Sequence, residues 1–242
     1  MKKKLILVGA GPGDPELISL KGVKALQQAN VVMYDALVSE ELLQHAPNAI
    51  KLFCGKRAGT HYMKQDEINQ KIVEQANLHG VVVRLKGGDP FIFGRGQEEI
   101  EYAEKHGIPS EIVPGISSAT ALATLRQIPL TKRGITESVW ITTGTTSCGE
   151  LSEDIELAAQ STATVVILMG IGKLAEIVNL FTKYKTEHYP IAIIQNGTLP
   201  DEKIVCGHLS TILEKVQEEN ITSPAVIIVG KVVDCSQILH IR

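Results

Sequence analysis

Residues 81–99 read VVVRLKGGDPFIFGRGQEE, and this stretch decides the fold class. It begins with a β-branched apolar run, which is typical of a parallel strand buried on both faces. Glycine and proline then interrupt the pattern before a helix that we predict to start near Gln97. Ligands of open α/β sheets bind at the carboxyl ends of the strands. The stretch therefore predicts an α/β fold with a binding loop after this strand.

The glycine pair and the acid after the strand suggest how this loop could work. Gly87 and Gly88 can adopt backbone angles closed to other residues and leave no Cβ between the backbone and a ligand. Asp89 would project from the end of the strand toward that ligand. The alternative is an ordinary strand-to-helix turn in which Asp89 only caps local backbone amides.

Apolar strand-like runs and amphipathic helical patterns alternate on both sides of this stretch. The alternation predicts an N-terminal α/β domain over 1–113, with helices on both faces of a parallel sheet, and a C-terminal α/β domain over 114–242. The connection before 204–208 is too short for a crossover helix, so we expect an antiparallel pair there. The predicted strands are 5–8, 31–34, 50–53, 81–85, 111–113, 139–143, 164–168, 191–195, 204–208 and 225–229. The predicted helices are 17–28, 40–45, 65–79, 97–106, 117–125, 151–159, 173–185 and 210–219.

Composition excludes several classes of protein. The chain has 242 residues and a formal net charge of −3, and we find no basic block that indicates nucleic-acid binding. It lacks a run of about 18 apolar residues, and the apolar run after the N-terminal lysines is too short for a signal peptide, so we expect a cytoplasmic protein without membrane association. The four cysteines form no C-x-x-C pair, which favours free or buried thiols over metal ligands.

The first glycine loop raises a competing hypothesis of nicotinamide binding. A strand, Gly9-x-Gly11 and an acid at Asp35 after the second strand match part of a dinucleotide fingerprint. However, Asp14 stands where the third glycine should be. Pro12 and Pro15 also prevent a helix from beginning directly beneath a pyrophosphate. We therefore place the nicotinamide hypothesis well below the alternative that follows.

Five segments together identify a family resemblance: 8–15 (VGAGPGDP), 32–38 (VMYDALV), 55–59 (GKRAG), 84–96 and 113–119 (VPGISSA). In this order they resemble the motifs of the tetrapyrrole methylases, above all of members that methylate uroporphyrinogen III. The resemblance implies a two-domain α/β architecture with the active site in the interdomain cleft, a homodimer, and S-adenosylmethionine as methyl donor without a metal.

The implied reaction is C-methylation of uroporphyrinogen III at two ring carbons to give precorrin-2, for sirohaem or cobalamin synthesis. Two alternatives stay open. One is another precorrin methyltransferase, and the other is a non-catalytic tetrapyrrole- or adenosyl-binding protein.

The resemblance also implies catalytic and cofactor residues. Asp35 would accept a proton and Lys56 would donate one, because methylation of a pyrrole carbon requires that a ring proton eventually leave. Without the resemblance, Asp35 could be a backbone cap, Lys56 a solvated surface charge and Met169 a core residue. The implied S-adenosylmethionine contacts are Pro12, Gly87, Gly88, Asp89, Ile92, Ser117, Ser118, Met169 and Gly197.

A polycarboxylate substrate requires local cations on a chain of negative net charge. We predict that Lys132 and Arg133 bind it, and Arg84, Lys86 and Arg95 are further candidates. The chain departs from the family pattern at four positions, which puts substrate affinity or the extent of methylation in question. Gln97 and Gln127 stand where glycine is usual, and Lys132 and Thr145 where histidine is usual.

Overall fold

A computed structural model describes residues 2–55 and 63–235. The chain forms two compact units, Met1–Ser117 and Ser118–Arg242. The predicted boundary between residues 113 and 114 falls just before the loop that ends the first unit. Among the described residues, each unit contains one five-stranded sheet together with helices, which confirms the predicted two-domain α/β class.

The first unit is a parallel sheet in the order β3-β2-β4-β1-β5. Alternate residues of each strand face opposite sides, so the sheet has two apolar cores. One core lies on the side of Ile6 and Val83, and the other on the side of Leu5 and Val82. The strands are β1 (Lys4–Gly9), β2 (Val31–Tyr34), β3 (Ile50–Phe53), β4 (Val81–Lys86) and β5 (Ser110–Val113), and the helices are α1 (Leu20–Gln27), α2 (Gln65–His79) and α3 (Gly96–Lys105).

The first predicted helix, 17–28, is wrong at its start. Pro15–Leu17 forms a 3-10 turn, and Ser19 then caps a new helix by accepting a hydrogen bond from the Gly22 amide at 3.1 Å. Leu20 is the first residue of this helix and is 81% exposed. The buried side of α1 consists of Gly22, Ala25 and Leu26. The segment Glu40–His45 is also a 3-10 helix.

The second unit has a mixed sheet in the order β6-β7-β10-β8-β9. The strand β8 pairs antiparallel with β9 and with β10, which confirms the predicted antiparallel pairing. Its strands are β6 (Val139–Thr143), β7 (Thr164–Leu168), β8 (Pro190–Gln195), β9 (Lys203–His208) and β10 (Ala225–Val229), and its helices are α4 (Ser118–Leu125), α5 (Asp154–Gln160), α6 (Leu174–Thr182) and α7 (Ile212–Glu218).

Candidate functional site

The loops after β1 and β4 are joined by a pair of backbone hydrogen bonds. The Gly88 amide donates to the Gly11 carbonyl at 2.7 Å, and the Gly11 amide donates back to the Gly88 carbonyl at 3.3 Å. Because β1 and β4 are neighbouring parallel strands, their carboxyl ends already lie side by side. The two motifs that sequence analysis singled out separately therefore form one connected structure.

The loop after β5 packs against the same pair at backbone contact distance. A Cβ on Gly115 would lie 2.2 Å from the Gly88 carbonyl oxygen, and one on Gly9 would lie 2.5 Å from the Gly115 Cα. No side chain fits at either position. Glycine at 9 and 115 is thus required for three loops to meet, a role that the sequence pattern alone did not identify.

The Asp89 carboxylate organises these loops with both of its oxygens. The Phe91 amide donates to Oδ1 at 2.8 Å, and the Gly115 amide donates to Oδ2 at 3.0 Å. This is the capping role that sequence analysis kept as the alternative. Since a carboxylate can accept about four hydrogen bonds, contact with a cofactor stays a prediction for Asp89.

The loop after β4 contains two further predicted cofactor contacts, Gly87 and Ile92, and their surroundings differ from each other. A Cβ on Gly87 would lie 2.6 Å from the Cβ of Leu37, so this glycine makes room for a side chain of its own unit. Ile92 is exposed between the exposed rings of Phe91 and Phe93. Phe93 also has a φ of 54°, a strained conformation of the kind that clusters at ligand sites.

The loop that contains Pro12 does not have dinucleotide-binding geometry. Pro12 is half-buried after Gly11, whose φ is 86°. Asp14 accepts a hydrogen bond from the Glu16 amide at 2.8 Å. The α-helix begins only at Leu20, several residues beyond the glycines, so it presents no N-terminus directly beneath them. This geometry weighs against the nicotinamide hypothesis.

Asp35 directly follows β2, at the same edge of the sheet. Its Oδ1 accepts a hydrogen bond from the Leu37 amide at 3.1 Å, and its Oδ2 lies 3.5 Å from Nη2 of Arg84. The side chain is 24% exposed, so the carboxylate remains accessible to a reactant. Lys56, the predicted proton donor, lies outside the described residues.

Arg84 and Lys86 do not have the surface positions that a direct substrate contact requires. Both are buried on strand β4, and both pair with Oε1 of Glu99, at 3.3 Å from Arg84 Nε and 2.8 Å from Lys86 Nζ. Their suggested role as substrate contacts is therefore wrong for this structure. Arg95 is exposed and forms an ion pair with Glu98 at 2.7 Å.

Glu99 is the residue that sequence analysis missed, although two patterns point to it. On β4, Arg84 and Lys86 alternate with Val83 and Leu85, which places both cations on one face of a buried strand. On α3, Glu99 shares the buried side of the helix with Ala103, four residues later. The helix places an inward-facing acid over the face of the sheet that carries the two cations. This combination predicts a buried ion cluster.

The electrostatics of this cluster follow from burial and proximity. Burial alone lowers the pKa of Arg84, but the Glu99 and Asp35 carboxylates outweigh it and raise that pKa above its ordinary value. Burial, and then repulsion from Arg84, lowers the pKa of Lys86, although Glu99 opposes both effects. Burial also raises the pKa of the nearby Cys54 thiol.

In the second unit, the loops after β6, β7 and β8 lie at the same edge of the sheet. These strands share a direction, because β6 is parallel to β7 while β7 and β8 are each antiparallel to β10. The Thr145 hydroxyl donates to the Met169 carbonyl at 2.8 Å. A Cβ on Gly144 would lie 2.3 Å from the Gly170 Cα, so these two loops also touch through their backbones.

Met169 and Gly197 lie in these loops, as expected from their sequence motifs. Met169 is 51% exposed with a φ of 53°, which excludes the alternative of core packing. Gly197 is buried, and a Cβ there would lie 2.4 Å from the Leu122 side chain. Its neighbours Asn196 and Thr198 have φ of 48° and 73°, so a strained backbone surrounds it. Cofactor contact stays a prediction for both residues.

The remaining predicted residues lie on or near α4. Ser118 begins the helix and Ser117 precedes it, and both are half-buried. Lys132 and Arg133 are exposed in a turn that two backbone hydrogen bonds between Lys132 and Thr136 close at 3.0 Å. An open cavity of about 550 Å³ beside this turn is lined by Thr124, Gln127, Ile128, Pro129, Leu130, Thr131 and Lys132.

Gln127, one of the four departures from the family pattern, occupies a position that favours glycine. It follows α4 with a φ of 55°, and its amide donates to the Thr124 carbonyl while the Ile128 amide donates to the Ala123 carbonyl. This is the Schellman arrangement, whose left-handed residue is usually glycine. Gln97 has no such geometry, because it lies in the first turn of α3 and donates to Glu101 at 2.9 Å.

Cys54, Cys148 and Cys206 are free thiols, and burial raises the pKa of Cys206 to about 11. Within residues 2–55 and 63–235, no group of three or more His, Cys, Asp or Glu side chains is arranged to bind a metal ion. Within the same ranges, no helix is long and apolar enough to cross a membrane.

Comparison with known proteins identifies the family. The family described as Tetrapyrrole (Corrin/Porphyrin) Methylases matches residues 4–213. Uroporphyrinogen-III C-methyltransferase of Methanocaldococcus jannaschii is 46% identical over 97% of this chain and 98% of its own length.

Solved structures agree with this match. Uroporphyrin-III C-methyl transferase of Thermus thermophilus, complexed with S-adenyl homocysteine, is 37% identical with a TM-score of 0.83, covering 96% of this chain and 99% of that one. Cobalt precorrin-4 methyltransferase is 30% identical with a TM-score of 0.86, covering 96% of both chains. Since sequence and fold agree over almost the whole length, the chain belongs to the tetrapyrrole methylase family.

Proposed function

We propose that this chain is a uroporphyrinogen-III C-methyltransferase, which transfers methyl groups from S-adenosylmethionine to two ring carbons of uroporphyrinogen III and forms precorrin-2. The observation that carries the proposal is the 46% identity to an enzyme of that name over 97% of the chain. The accessible carboxylate of Asp35 at the carboxyl edge of the first sheet supports it. We further propose a cytoplasmic homodimer whose product serves sirohaem or cobalamin synthesis.

S-adenosylmethionine supplies an electrophilic methyl group on a sulfonium when bound. The proposed contacts suit such a molecule, because binding sites combine apolar surface with a few polar groups that fix orientation. In the first unit, Ile92 offers exposed apolar surface, and Pro12, Gly87, Gly88, Asp89 and Ser117 lie in or beside the joined loops. In the second unit, Ser118 begins α4, Met169 offers exposed apolar surface and Gly197 lies in the loop after β8.

In the proposed mechanism, the chain's own residues orient the substrate and remove its proton. Lys132 and Arg133 bind substrate carboxylates, since both cations are exposed and neither has an acidic partner within 4 Å among the described residues. Asp35 accepts the proton that the ring releases after the new carbon–carbon bond forms. The Leu37 amide and Arg84 fix the orientation of that carboxylate. Lys56 is kept as the second proposed catalytic residue, the proton donor that the family resemblance implies.

A second candidate function is methylation of a later corrin precursor. The TM-score of 0.86 to cobalt precorrin-4 methyltransferase favours this alternative. The identity to that enzyme is 30%, however, against 46% to the uroporphyrinogen-III enzyme. Fold likeness is common to the whole family, so the difference in sequence identity favours the first candidate.

An anaerobic methylation assay tests the proposal. The purified protein is incubated with S-adenosylmethionine and enzymatically generated uroporphyrinogen III, and the product is followed by absorbance and mass. We expect a mass gain of two methyl groups. No gain under reducing conditions would contradict the proposal, and a gain only with a precorrin substrate would favour the second candidate. Oxidation of NADH would revive the nicotinamide hypothesis.

A further inference from the structure

A set of four charged side chains, three of them buried, lies in the first unit. This Glu99 cluster consists of Asp35, Arg84, Lys86 and Glu99. The exposed fractions of the Arg84, Lys86 and Glu99 side chains are 4%, 6% and 0%. Only Asp35, at 24%, is accessible. The cluster thus connects one accessible carboxylate to the interior of the unit.

Arg84 is fixed within the cluster by contacts from several directions. Its Nε donates to Glu99 at 3.3 Å, and its Nη1 donates to the carbonyls of Leu85 at 2.9 Å and Met33 at 3.4 Å. These bonds define the plane of the guanidinium, because the fork of donors is rigid. The remaining nitrogen, Nη2, points at Oδ2 of Asp35.

Glu99 is not arranged for maximal stability. Gln65, Arg84 and Lys86 all donate to its Oε1. Its Oε2 is buried without a hydrogen-bond partner among the described residues. An unsatisfied buried oxygen destabilises a fold, and well-packed apolar residues often replace buried ion pairs without loss of stability. The neighbouring core on this face of the sheet is apolar, so packing alone does not require these charges.

We propose that Glu99 is a positioning residue for Asp35 and acts through Arg84. Glu99 holds the guanidinium, the guanidinium faces Oδ2 of Asp35, and the Leu37 amide holds Oδ1. The carboxylate is thereby restricted to one orientation toward a reactant. The contact measures 3.5 Å, and catalytic hydrogen bonds are commonly long until a substrate is bound. The inference rests on the proposed function, in which Asp35 accepts the ring proton.

Two substitutions test the inference, with a matched control on the same helix. Glu99→Gln keeps the side-chain size but removes the charge that anchors Arg84, and Arg84→Lys keeps the charge but loses the planar fork. We expect each to lower kcat for methyl transfer by roughly tenfold to a hundredfold, the usual cost of a misplaced catalytic group. The dissociation constant of S-adenosylmethionine, measured by calorimetry, should stay within about twofold, because the cluster acts on the chemical step. Glu104→Gln, five residues after Glu99 on the same helix but exposed, should leave kcat unchanged.

Other outcomes separate this inference from the proposed function. If the unmodified protein transfers no methyl group, the proposed function fails. If Asp35→Asn is fully active, the role of Asp35 fails and the inference with it. If Asp35→Asn is impaired while Glu99→Gln and Arg84→Lys match the unmodified protein, only the inference is overturned. An equal loss in kcat and in donor affinity would also overturn it, since that pattern indicates a general structural role.

A folding failure of Glu99→Gln would not end the test. The double variant Glu99→Gln with Lys86→Gln removes one buried charge of each sign, which keeps the cluster electrically balanced. It leaves Arg84 and Asp35 in place without the anchor. We expect the same loss of kcat at constant donor affinity, and an unimpaired kcat in this variant would contradict the proposal.

Discussion

Asp89 shows how one side chain can combine a structural role with a proposed binding role. Its two oxygens accept hydrogen bonds from the amides of Phe91 and Gly115, which belong to different loops. The sequence indicated an acid at the end of a strand, but it did not indicate which distant amide that acid would meet. A substitution here must therefore change loop structure as well as any contact with the methyl donor.

For Asp89→Ala we expect losses in both stability and donor affinity. The Phe91 amide, which is exposed, and the Gly115 amide, which is partly buried, lose a charged acceptor, so the free energy of unfolding without ligand should fall by about 1–3 kcal/mol. Binding of S-adenosylmethionine should weaken by about 1.5–3 kcal/mol if the carboxylate also contacts the donor. Urea unfolding and calorimetry measure the two effects. Unchanged donor affinity with reduced stability would leave Asp89 as a loop residue only.

At position 127, glycine should give a more stable protein than the glutamine that is present. Its φ of 55° strains any side chain with a Cβ, whereas glycine adopts this conformation freely. After allowance for the greater freedom of glycine in the unfolded chain, Gln127→Gly should stabilise the protein by about 0.5–1 kcal/mol. Gln97→Gly, at the other position where the family usually has glycine, should instead destabilise helix α3 by up to about 1 kcal/mol. In urea unfolding, we expect the free energy of unfolding to rise for Gln127→Gly and to fall for Gln97→Gly. Changes of the same sign would contradict the structural difference between the two positions.

At the scale of elements, the joined loops of the first unit form one rigid arrangement. Gly9, Gly88 and Gly115 meet at backbone contact, and Asp89 ties the third loop to the second. A ligand that binds one of these loops therefore meets a surface that three strands support. This support is the preorganisation on which tight positioning of a methyl donor depends.

Gly115→Ala should disrupt this arrangement. The new Cβ would lie 2.2 Å from the Gly88 carbonyl oxygen, and that oxygen belongs to backbone that cannot move freely. We expect a loss of about 1–3 kcal/mol in the free energy of unfolding, typical of overpacking, together with weaker binding of S-adenosylmethionine. Gly172→Ala is the control, because no atom lies within 4 Å of its added Cβ. Similar stabilities for the two variants in urea unfolding would contradict the close approach.

The elements were largely predictable from the sequence, and the exceptions have local physical causes. The helix Gln65–His79 and the strand Val139–Thr143 match their predicted limits, because apolar periodicity determines which side of each is buried. Helix α1 was predicted to start too early, because its true start depends on one side-chain hydrogen bond of the Ser19 cap. Arg84 and Lys86 were misassigned because their partner Glu99 lies on another element, and periodicity within one element does not pair residues across elements.

For the molecule as a whole, the net charge of −3 disfavours binding of a polycarboxylate substrate unless cations are concentrated at the binding site. The candidate cations in the first unit's core, Arg84 and Lys86, are buried and paired with Glu99. This leaves Lys132 and Arg133 as exposed candidates in the second unit. The chemistry of the site could thus be anticipated from motifs. Which cations are structural and which are exposed could not, because the burial of each side chain is known only from the folded chain.

A salt dependence follows from this distribution of charge. The KM for uroporphyrinogen III should rise with ionic strength, because salt screens the attraction between exposed charges, with a Debye length of about 8 Å at physiological salt. Lys132→Gln should raise KM at low salt by roughly twofold to fivefold, the range for one exposed ion pair, and should reduce the salt dependence. Lys183→Gln removes the same charge from an exposed position after α6 and serves as the control. Equal KM values for the two variants would contradict a substrate role for Lys132.

The mutual hydrogen bonds between Gly11 and Gly88 also give the molecule an internal reporter. Each amide hydrogen is covered by the other residue's carbonyl, so neither can exchange with solvent until the two loops separate. Both hydrogens must then be released by the same opening event. Their hydrogen-exchange rates measure how often the loops after β1 and β4 separate, independently of catalysis and without any substitution in the chain.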